Sequence, residues 1–426
     1  MASSLRSSQG AEESRPLLNS YVFNHRGKGD TFVLVNRTIN NNTRRFFARF
    51  PILFLFAVSL LAFVWSSSVP AEAATRRSED KRPPFVATLQ PKLTALMKQL
   101  KIPGAIVSIN LPGQGAWTTA MGTSNLATDA PLNSESHMRI GSITKTFTAT
   151  IILRLVEEGR LRLDDPISKY QPNVPNGAHI TIRELLNMTS GLFNYSEDST
   201  FIQSLIANPE RVWSPSELLA IAFSHQPYFA PGQGWYYANT NYIVLGLLVE
   251  QITGMPIEKV FEQDIFRPLG MFNTSFPRPT SAALPDPHPH GYIFASSGAT
   301  APLDVTYWNP SWAWAAGATI STLHDLKIWA RALATGQLLR PTTQKERLSW
   351  IDIGTWVGKE VRYGLGIADF GGVIGHNGSI PGFQSFMGYV PEKAATIIVL
   401  TNLSTAPDGS APADDLEQVI QQELFA

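Results

Sequence analysis

Two polar side chains three residues apart, Ser142 and Lys145, form the most reactive pair that the sequence suggests. A serine hydroxyl is a poor nucleophile unless an adjacent base takes its proton. A lysine amine can be that base only when neutral, which requires burial or a nearby positive charge to lower its pKa. On a helix, residues three apart lie on one face. The segment therefore predicts a nucleophile beside its base, at a helix N-terminus whose N–H groups suit an oxyanion.

The spacing alone is weak, because composition supplies about one or two such pairs by chance. A second pair, Ser78 and Lys81, lies in a linker-like stretch, and we assign it no role. Without other motifs, Ser142 would be interpreted as a helix cap and Lys145 as a solvated lysine. Two further elements, Tyr237-Ala238-Asn239 and His376-Asn377-Gly378, change this balance through their order along the chain. Each is unremarkable by itself.

Strand and helix patterns predict how these residues are positioned. A sheet assembled from both ends of the chain, with a helical insert at about 160–305, accounts for the pattern, and chemistry is expected in a cleft between the two parts. Predicted strands are Ala105–Leu111, Ala116–Thr123, Tyr363–Ile367, Gly372–His376, Gln384–Val390 and Ala395–Thr401. Predicted helices are 142–158, one from the capping box at Ser214, Asn241–Ile252, Ile257–Phe266, one from Ser321 to about Gly336, and Asp414–Leu424.

Composition excludes several classes of protein. The 426 residues contain 34 basic and 34 acidic side chains. Residues 1–84 hold 12 basic and 6 acidic ones, so the remainder is mildly acidic, which argues against nucleic-acid binding. The absence of cysteine excludes disulfides and thiolate chemistry. No G-x-S-x-G, H-E-x-x-H or phosphate-binding motif occurs, and His288-Pro289-His290 is interpreted as a loop, so neither a metal nor a cofactor is expected.

The first 84 residues are interpreted as a targeting segment followed by a linker, with one folded domain over 85–426. Residues 1–43 have the composition of disorder. Arg44-Arg45-Phe46-Phe47 resembles a twin-arginine export signal, and Phe50–Trp65 is a charge-free run of 16 residues. Ala71-Glu72-Ala73 fits signal cleavage, whereas an uncleaved run would anchor the chain in a membrane. Both alternatives stay open, and both place the domain outside the cytoplasm.

Taken together, the motifs resemble the serine penicillin-recognising hydrolases, of the class C β-lactamase and secreted DD-carboxypeptidase type. The resemblance covers most of residues 85–426, through Met138–Leu163, Ile182–Tyr195, Phe229–Leu248, Trp312–Leu326 and Tyr363–Phe383. It implies an α/β plus all-α fold, in which an antiparallel sheet is flanked by helices and a helical subdomain is inserted. It implies no cofactor, and the implied substrates are peptidoglycan stem peptides or small esters, amides and β-lactams.

The resemblance also implies a role for each site residue. Ser142 would be acylated, Lys145 would hold its proton network and Tyr237 would shuttle the proton, with the choice of true base left open. Substrate would bind to Asn239, to the strand of His376, Asn377, Gly378 and Ser379, and to Trp312. The backbone N–H groups of Ser142 and Ser379 would form the oxyanion hole.

Two departures from the DD-carboxypeptidase pattern weaken the case for that activity. Asn377 replaces a threonine whose hydroxyl helps to bind a terminal carboxylate, and no arginine follows Tyr363-Gly364-Leu365-Gly366. An esterase, or an amidase or peptidase for D-amino-acid substrates, therefore stays open as an alternative. A non-catalytic penicillin sensor is a further alternative, and it would be expected to have lost Lys145 or Tyr237.

Overall fold

A nine-stranded antiparallel sheet organises the chain. The computed structural model describes residues 82–296, 299–356 and 359–425. The strands are β1 Gly104–Leu111, β2 Gly115–Asn125, β3 Ala130–Pro131, β4 Met138–Arg139, β5 Tyr292–Ile293, β6 Leu303–Asp304, β7 Ile320–Ser321, β8 Ile351–Trp356, β9 Lys359–Tyr363, β10 Ala368–Phe370, β11 Ile374–Ile380, β12 Phe383–Val390 and β13 Ala395–Thr401. The order of the large sheet is β3-β2-β1-β13-β12-β11-β10-β9-β8. β1 pairs with β13, so the two chain ends do meet in one sheet, as predicted.

Most helices lie between the two groups of strands. The helices are α1 Val86–Gln99, α2 Thr144–Glu157, α3 Ile182–Leu186, α4 Ser199–Ala207, α5 Pro215–Phe223, α6 Asn239–Thr253, α7 Ile257–Phe261, α8 Arg267–Leu269, α9 Trp314–Gly317, α10 Leu323–Thr335, α11 Pro341–Arg347 and α12 Pro412–Phe425. Short 3₁₀ turns cover Gly141–Ile143, Ile167–Lys169, Tyr195–Glu197, Pro310–Trp312 and Pro391–Lys393, and a π turn covers Glu262–Phe266. Among the described residues, no helix is long and apolar enough to cross a bilayer.

Local sequence chemistry explains where the predicted helices begin and end. Ser214 accepts from the N–H of Glu217 while the Glu217 carboxylate accepts from the N–H of Ser214, which is the expected capping box of α5. Gly254 ends α6 with φ of 70°, a left-handed conformation that glycine adopts without strain. The predicted fold class is therefore confirmed, with element boundaries mostly within a few residues.

Three predicted boundaries were wrong. α10 is capped by Thr322 rather than Ser321, because the Thr322 hydroxyl accepts from the N–H of Asp325. The predicted strand Tyr363–Ile367 ends at Tyr363, since residues 364–367 form a turn with φ of 69° at Gly366. The strand predicted to end at His376 continues to Ile380, because all of Ile374–Ile380 pairs with Phe383–Tyr389 of β12.

The central strands present alternate side chains to different layers. On β12, Gln384 accepts from the N–H of Ala413 at the start of α12, whereas Ser385 donates to the carbonyl of Ile140, just before the turn that carries Ser142. Successive residues of a strand point to opposite faces. The C-terminal helix therefore covers one face of the sheet, and the candidate site lies against the other. The predicted export segment lies outside the described residues.

Candidate active site

Ser142 lies in the 3₁₀ turn Gly141–Ile143 that leads into α2, where the turn crosses the middle of β11. Gly141 has φ of 51°, and a Cβ there would lie 2.6 Å from the nitrogen of Ser379. A Cβ at Gly378 would lie 2.0 Å from the Ile140 carbonyl oxygen and 2.9 Å from the Ser142 nitrogen. Two glycines therefore allow the serine turn and the strand to approach at backbone distance, which any side chain would prevent.

Lys145 is fully buried and is held by three hydrogen bonds. Its Nζ lies 2.9 Å from Ser142 Oγ, 2.8 Å from Asn239 Oδ1 and 2.8 Å from the carbonyl oxygen of Ala316. Burial lowers the pKa of the Lys145 amine well below its usual range, because a charged group loses its hydration there. The amine thus approaches the neutral form that a base for Ser142 needs.

The three partners of Lys145 also fix where its lone pair points. A carbonyl oxygen, such as those of Ala316 and Asn239, can only accept, so each requires an N–H from Lys145. A neutral amine has two N–H groups and one lone pair. With both N–H groups committed, the lone pair is directed at the hydroxyl of Ser142. The arrangement orients a neutral lysine to accept the proton of Ser142.

Tyr237 faces the same two side chains from the segment that precedes α6. The Lys145 amine lies 4.7 Å from the centre of the Tyr237 ring, and the Tyr237 hydroxyl is buried although the residue as a whole is half-buried. Burial raises the pKa of the Tyr237 phenol well above its usual value, and a hydrogen bond with Ser142 partly opposes that rise. Tyr237 is therefore protonated near neutral pH. It is placed to give a proton rather than to take the first one.

Asn239 connects this group to the loop before α4. Its side-chain nitrogen donates to Ser196 Oγ at 3.0 Å, and its backbone N–H donates to Asn194 Oδ1 at 3.0 Å. With Asn239 Oδ1 accepting from Lys145, both ends of the amide are engaged within the protein. The amide holds Lys145 in place, whereas its predicted hydrogen bond to substrate stays a prediction.

His376 is fully buried at the back of the site. Its Nδ1 lies 2.6 Å from the Asn377 carbonyl oxygen, which can only accept, so Nδ1 carries the proton. Its Nε2 then accepts from the Tyr363 hydroxyl at 3.1 Å. Burial, and secondarily the charge of Lys145, lowers the pKa of His376 to about 3. His376 is therefore a neutral imidazole across the physiological pH range.

A family model for β-lactamases matches residues 89–421, which is well over half of the chain and includes every residue of the site described above. The protein belongs to the β-lactamase family. The predicted membership of the serine penicillin-recognising hydrolases is thereby confirmed.

Relatives of this β-lactamase-family protein include penicillin-binding proteins, an amidohydrolase and an amidase. A penicillin-binding protein of Bacillus subtilis (strain 168) is 26% identical over 66% of this chain and 64% of its own length. The chain spans just under two thirds of the curated relatives it matches first. A solved D-stereospecific amidohydrolase from Streptomyces sp. is 34% identical over 79% of this chain and 98% of its own, with a TM-score of 0.70. D-amino acid amidase from Ochrobactrum anthropi SV3 is 26% identical, over 79% and 97%, with a TM-score of 0.67.

Two residues that the sequence predicted as substrate contacts, Asn377 and Trp312, contact other parts of the protein. The Asn377 side chain points away from His376 and donates to Asp414 Oδ2 of α12 at 2.9 Å, so its predicted use as a substrate donor is not what the structure shows. The Trp312 side chain is only 7% exposed, and its ring centre lies 6.1 Å from that of Phe201. Contact between Trp312 and substrate stays a prediction.

Several residues that act on the site were not found from sequence. Three of them lie 43 to 171 residues in sequence from the groups they bind: Asn194, Ser196 and the Ala316 carbonyl. The fourth, Tyr363, is 13 residues from His376. No local spacing predicts such contacts. The one available signal was the Ser-Gly-Leu-Phe-Asn-Tyr stretch at 190–195, which contributed to the resemblance but not to the set of site residues.

The buried neutral His376 predicts a pH-dependent stability. In the unfolded chain a histidine titrates near 6.5, so between that value and about 3 the unfolded chain binds more protons. The free energy of unfolding should therefore fall by about 2 kcal/mol from pH 7 to pH 5 through this residue alone. Urea denaturation at both pH values should show that His376→Gln removes this difference, whereas the same substitution at exposed His179 preserves it. An unchanged pH dependence in His376→Gln would contradict the assignment.

Proposed function

We propose that this protein is a serine amidohydrolase that cleaves amides of D-amino acids, and short D-configured peptides, whose amino group is free. Ser142, Lys145 and Tyr237 carry the chemistry, and Glu197 favours this substrate class. The D-configuration is taken from two solved relatives, the D-stereospecific amidohydrolase and the D-amino acid amidase. The coarser activity, hydrolysis by a member of the β-lactamase family, does not depend on that choice.

The proposed reaction begins when Ser142 Oγ attacks the amide carbon while its proton passes to neutral Lys145. The backbone N–H groups of Ser142 and Ser379, which the close crossing at Gly378 brings near each other, stabilise the oxyanion. Protonated Tyr237 delivers a proton to the leaving nitrogen, and the acyl group stays on Ser142. In deacylation, water attacks the acyl carbon and gives a proton to the Tyr237 phenolate. Lys145 returns its proton to the Ser142 oxygen as the ester bond breaks, and the acid is released.

Glu197 presents a carboxylate between two tyrosines beside the site. The Tyr228 hydroxyl donates to it at 2.6 Å, the Tyr236 hydroxyl lies 2.9 and 3.0 Å from its two oxygens, and the Asn194 amide donates at 3.1 Å. The two tyrosine rings lie 4.0 Å apart, and Tyr236 is 38% exposed. Three donated protons leave room for about one more at a carboxylate. A carboxylate with acceptor capacity left, beside a partly exposed tyrosine, suits an ammonium group.

Residues adjacent in sequence to Glu197 and to its partner Tyr236 belong to the reactive centre or contact it. Ser196, the preceding residue, accepts from Asn239, and Tyr236 directly precedes Tyr237. The side chains of the third motif offer little to a substrate carboxylate, because His376 is uncharged and the Asn377 side chain binds Asp414. We therefore favour recognition of a substrate ammonium over recognition of a terminal carboxylate.

The D-alanyl-D-alanine carboxypeptidase activity that the sequence suggested first becomes the second candidate. It is supported by the penicillin-binding relatives, and under it β-lactams would acylate Ser142 as pseudo-substrates. A purely non-catalytic sensor is disfavoured, since Lys145 and Tyr237 are both present beside Ser142. Export, with residues 50–65 as signal or anchor, stays part of the proposal.

A comparison of substrates tests this choice. D-phenylalanine amide should be the best of a panel that also contains L-phenylalanine amide, N-acetyl-D-phenylalanine amide and N,N-diacetyl-lysyl-D-alanyl-D-alanine. Glu197→Gln should lower kcat/KM for D-phenylalanine amide by about 10- to 100-fold, the value of a charge-assisted hydrogen bond. Hydrolysis of p-nitrophenyl acetate, which lacks an ammonium, should keep the same maximal rate at high pH. Asp198→Asn, which alters the adjacent carboxylate paired with His225, is the matched control.

The outcomes separate the two candidates. Preferential release of D-alanine from the tripeptide, with D-phenylalanine amide left intact, would replace the amidase proposal with the carboxypeptidase. Equal turnover of D-phenylalanine amide and its N-acetyl derivative would show that Glu197 does not recognise the substrate ammonium.

A further inference from the structure

A continuous chain of four hydrogen bonds joins Lys145 to Glu197. Lys145 Nζ contacts Asn239 Oδ1 at 2.8 Å, and Asn239 Nδ2 contacts Ser196 Oγ at 3.0 Å. Ser196 Oγ contacts Asn194 Oδ1 at 3.0 Å, and Asn194 Nδ2 contacts Glu197 Oε1 at 3.1 Å. Asn194 and Ser196 are 3% and 2% exposed, so water has little access to the middle of the chain.

The direction of every bond in this chain is fixed by its partners. Asn194 Oδ1 must be an oxygen, because the backbone N–H of Asn239 donates to it. The Ser196 hydroxyl therefore donates to Asn194 and accepts from Asn239 Nδ2. That leaves Asn239 Oδ1 toward Lys145 and Asn194 Nδ2 toward the Glu197 carboxylate. All four bonds donate from Lys145 toward Glu197, and aligned bonds reinforce one another in a buried site.

We propose that this chain couples the charge at Glu197 to the proton on Lys145, so that a substrate ammonium bound at Glu197 drives Lys145 to release its proton and become the base. The aligned dipoles place a negative end at Lys145 and a positive end at Glu197. An anionic Glu197 therefore stabilises the charged amine of Lys145. A cation at Glu197 cancels that stabilisation. This coupling rests on the proposed substrate class and adds substrate-dependent activation to it.

Other titratable groups face each end of the chain and must be considered. Two tyrosine rings face the Lys145 amine: that of Tyr237 at 4.7 Å and that of Tyr242, on α6, at 5.7 Å. His376 faces Lys145 from β11 and is neutral, and Arg347 of α11 binds Thr150, one to two turns further along α2. None of these groups changes charge when a ligand binds at Glu197.

Beside Glu197, the neighbouring carboxylate of Asp198 contacts an imidazole. Tyr228 and Tyr236 donate to the carboxylate, and Asp198 is paired with His225 at 3.0 Å. Because that pair is adjacent to Glu197 but outside the chain, Asp198→Asn reports on charge near the subsite without breaking the link to Lys145.

The neutral reagent p-nitrophenyl acetate tests the coupling without any substrate ammonium. The acylation rate rises with pH as Lys145 loses its proton. Glu197→Gln and Ser196→Ala should each move this rise to lower pH by about half to one unit, since each removes stabilisation of the charged amine. Ser190→Ala is the matched control, because Ser190 is equally buried, donates to Asn241 Oδ1 at 2.6 Å and lies outside the chain.

A curve for Ser196→Ala that coincides with wild type overturns the proposal, as does an equal shift in Ser190→Ala. Should Ser196→Ala not fold, as judged by circular dichroism, Glu197→Gln decides alone, and an unshifted curve overturns the coupling.

Proton release on binding tests the activation itself. The full chain with Ser142→Ala is titrated with D-phenylalanine amide by calorimetry in two buffers of different ionisation enthalpy. Proton release should become smaller when Ser196→Ala is added to this protein, and it should stay the same when Ser190→Ala is added instead. Equal release in all three proteins overturns the proposal. If the amide neither binds nor is hydrolysed while the ester acylates Ser142, the proposed function fails, and the ester curves still decide whether the coupling exists.

Discussion

Ser142→Ala should abolish acylation and lower kcat by about 10⁴- to 10⁶-fold on every substrate of the protein. The hydroxyl is the one group that forms the covalent intermediate, and the residual rate would come from binding and from the backbone N–H groups alone. The fold should survive, because the substitution removes only the hydrogen bonds of one hydroxyl with Lys145 and Tyr237, each worth about 1 kcal/mol. Intact-mass measurement after incubation with benzylpenicillin or p-nitrophenyl acetate should show an adduct in the wild type and none in the variant.

Ser78 is a matched control for this experiment, since Ser78-Glu79-Asp80-Lys81 has the same spacing as the reactive pair. Peptide mapping should locate the adduct at Ser142, and Ser78→Ala should be acylated like wild type. An adduct that persists in Ser142→Ala, or that maps to another residue, would refute the assignment of the nucleophile.

The reactive pair was predictable because its geometry is local. One helical turn fixes the relation of Ser142 to Lys145 whatever the rest of the fold does, and the structure places them 2.9 Å apart. The apposition of Tyr237 was not local, and it entered through the resemblance. The hydrogen-bond chain through Asn194 and Ser196 was not predicted at all, because it depends on how the loop before α4 packs on α6.

The wrong expectations have equally specific causes. Tyr363-Gly364-Leu365-Gly366 alternates in size like a strand, yet a Cβ at Gly364 would lie 2.3 Å from the Arg347 carbonyl oxygen and one at Gly366 would lie 2.3 Å from the Ala149 side chain. The glycines thus allow a turn to pack closely on α2 and α11. Asn377 was expected at the substrate, but β11 continues past it, and strand alternation sends it to the opposite face from His376.

The roles of Lys145 and Tyr237 should be distinguishable by comparing substrates with different leaving groups. We expect Lys145→Met to slow acylation by about 10²- to 10⁴-fold on both amides and activated esters, because the first proton transfer from Ser142 is needed in each. Tyr237→Phe should cost a similar factor on D-phenylalanine amide and much less on p-nitrophenyl acetate, since an amide nitrogen must be protonated to leave whereas nitrophenolate leaves as an anion. The measurement is the acylation rate constant of each variant on both substrates.

The opposite shifts of the two pKa values are the physical basis of this division. Burial disfavours charge on either group, which makes Lys145 release its proton more readily and keeps the proton on Tyr237. In water at neutral pH a lysine is protonated and cannot accept a proton. Burial in this one cavity makes Lys145 a base and keeps Tyr237 an acid. Tyr242→Phe is the control, because its phenol also lies near Lys145 but donates to the Leu186 carbonyl. Equal losses on ester and amide in Tyr237→Phe would instead make Tyr237 the group that takes the proton of Ser142.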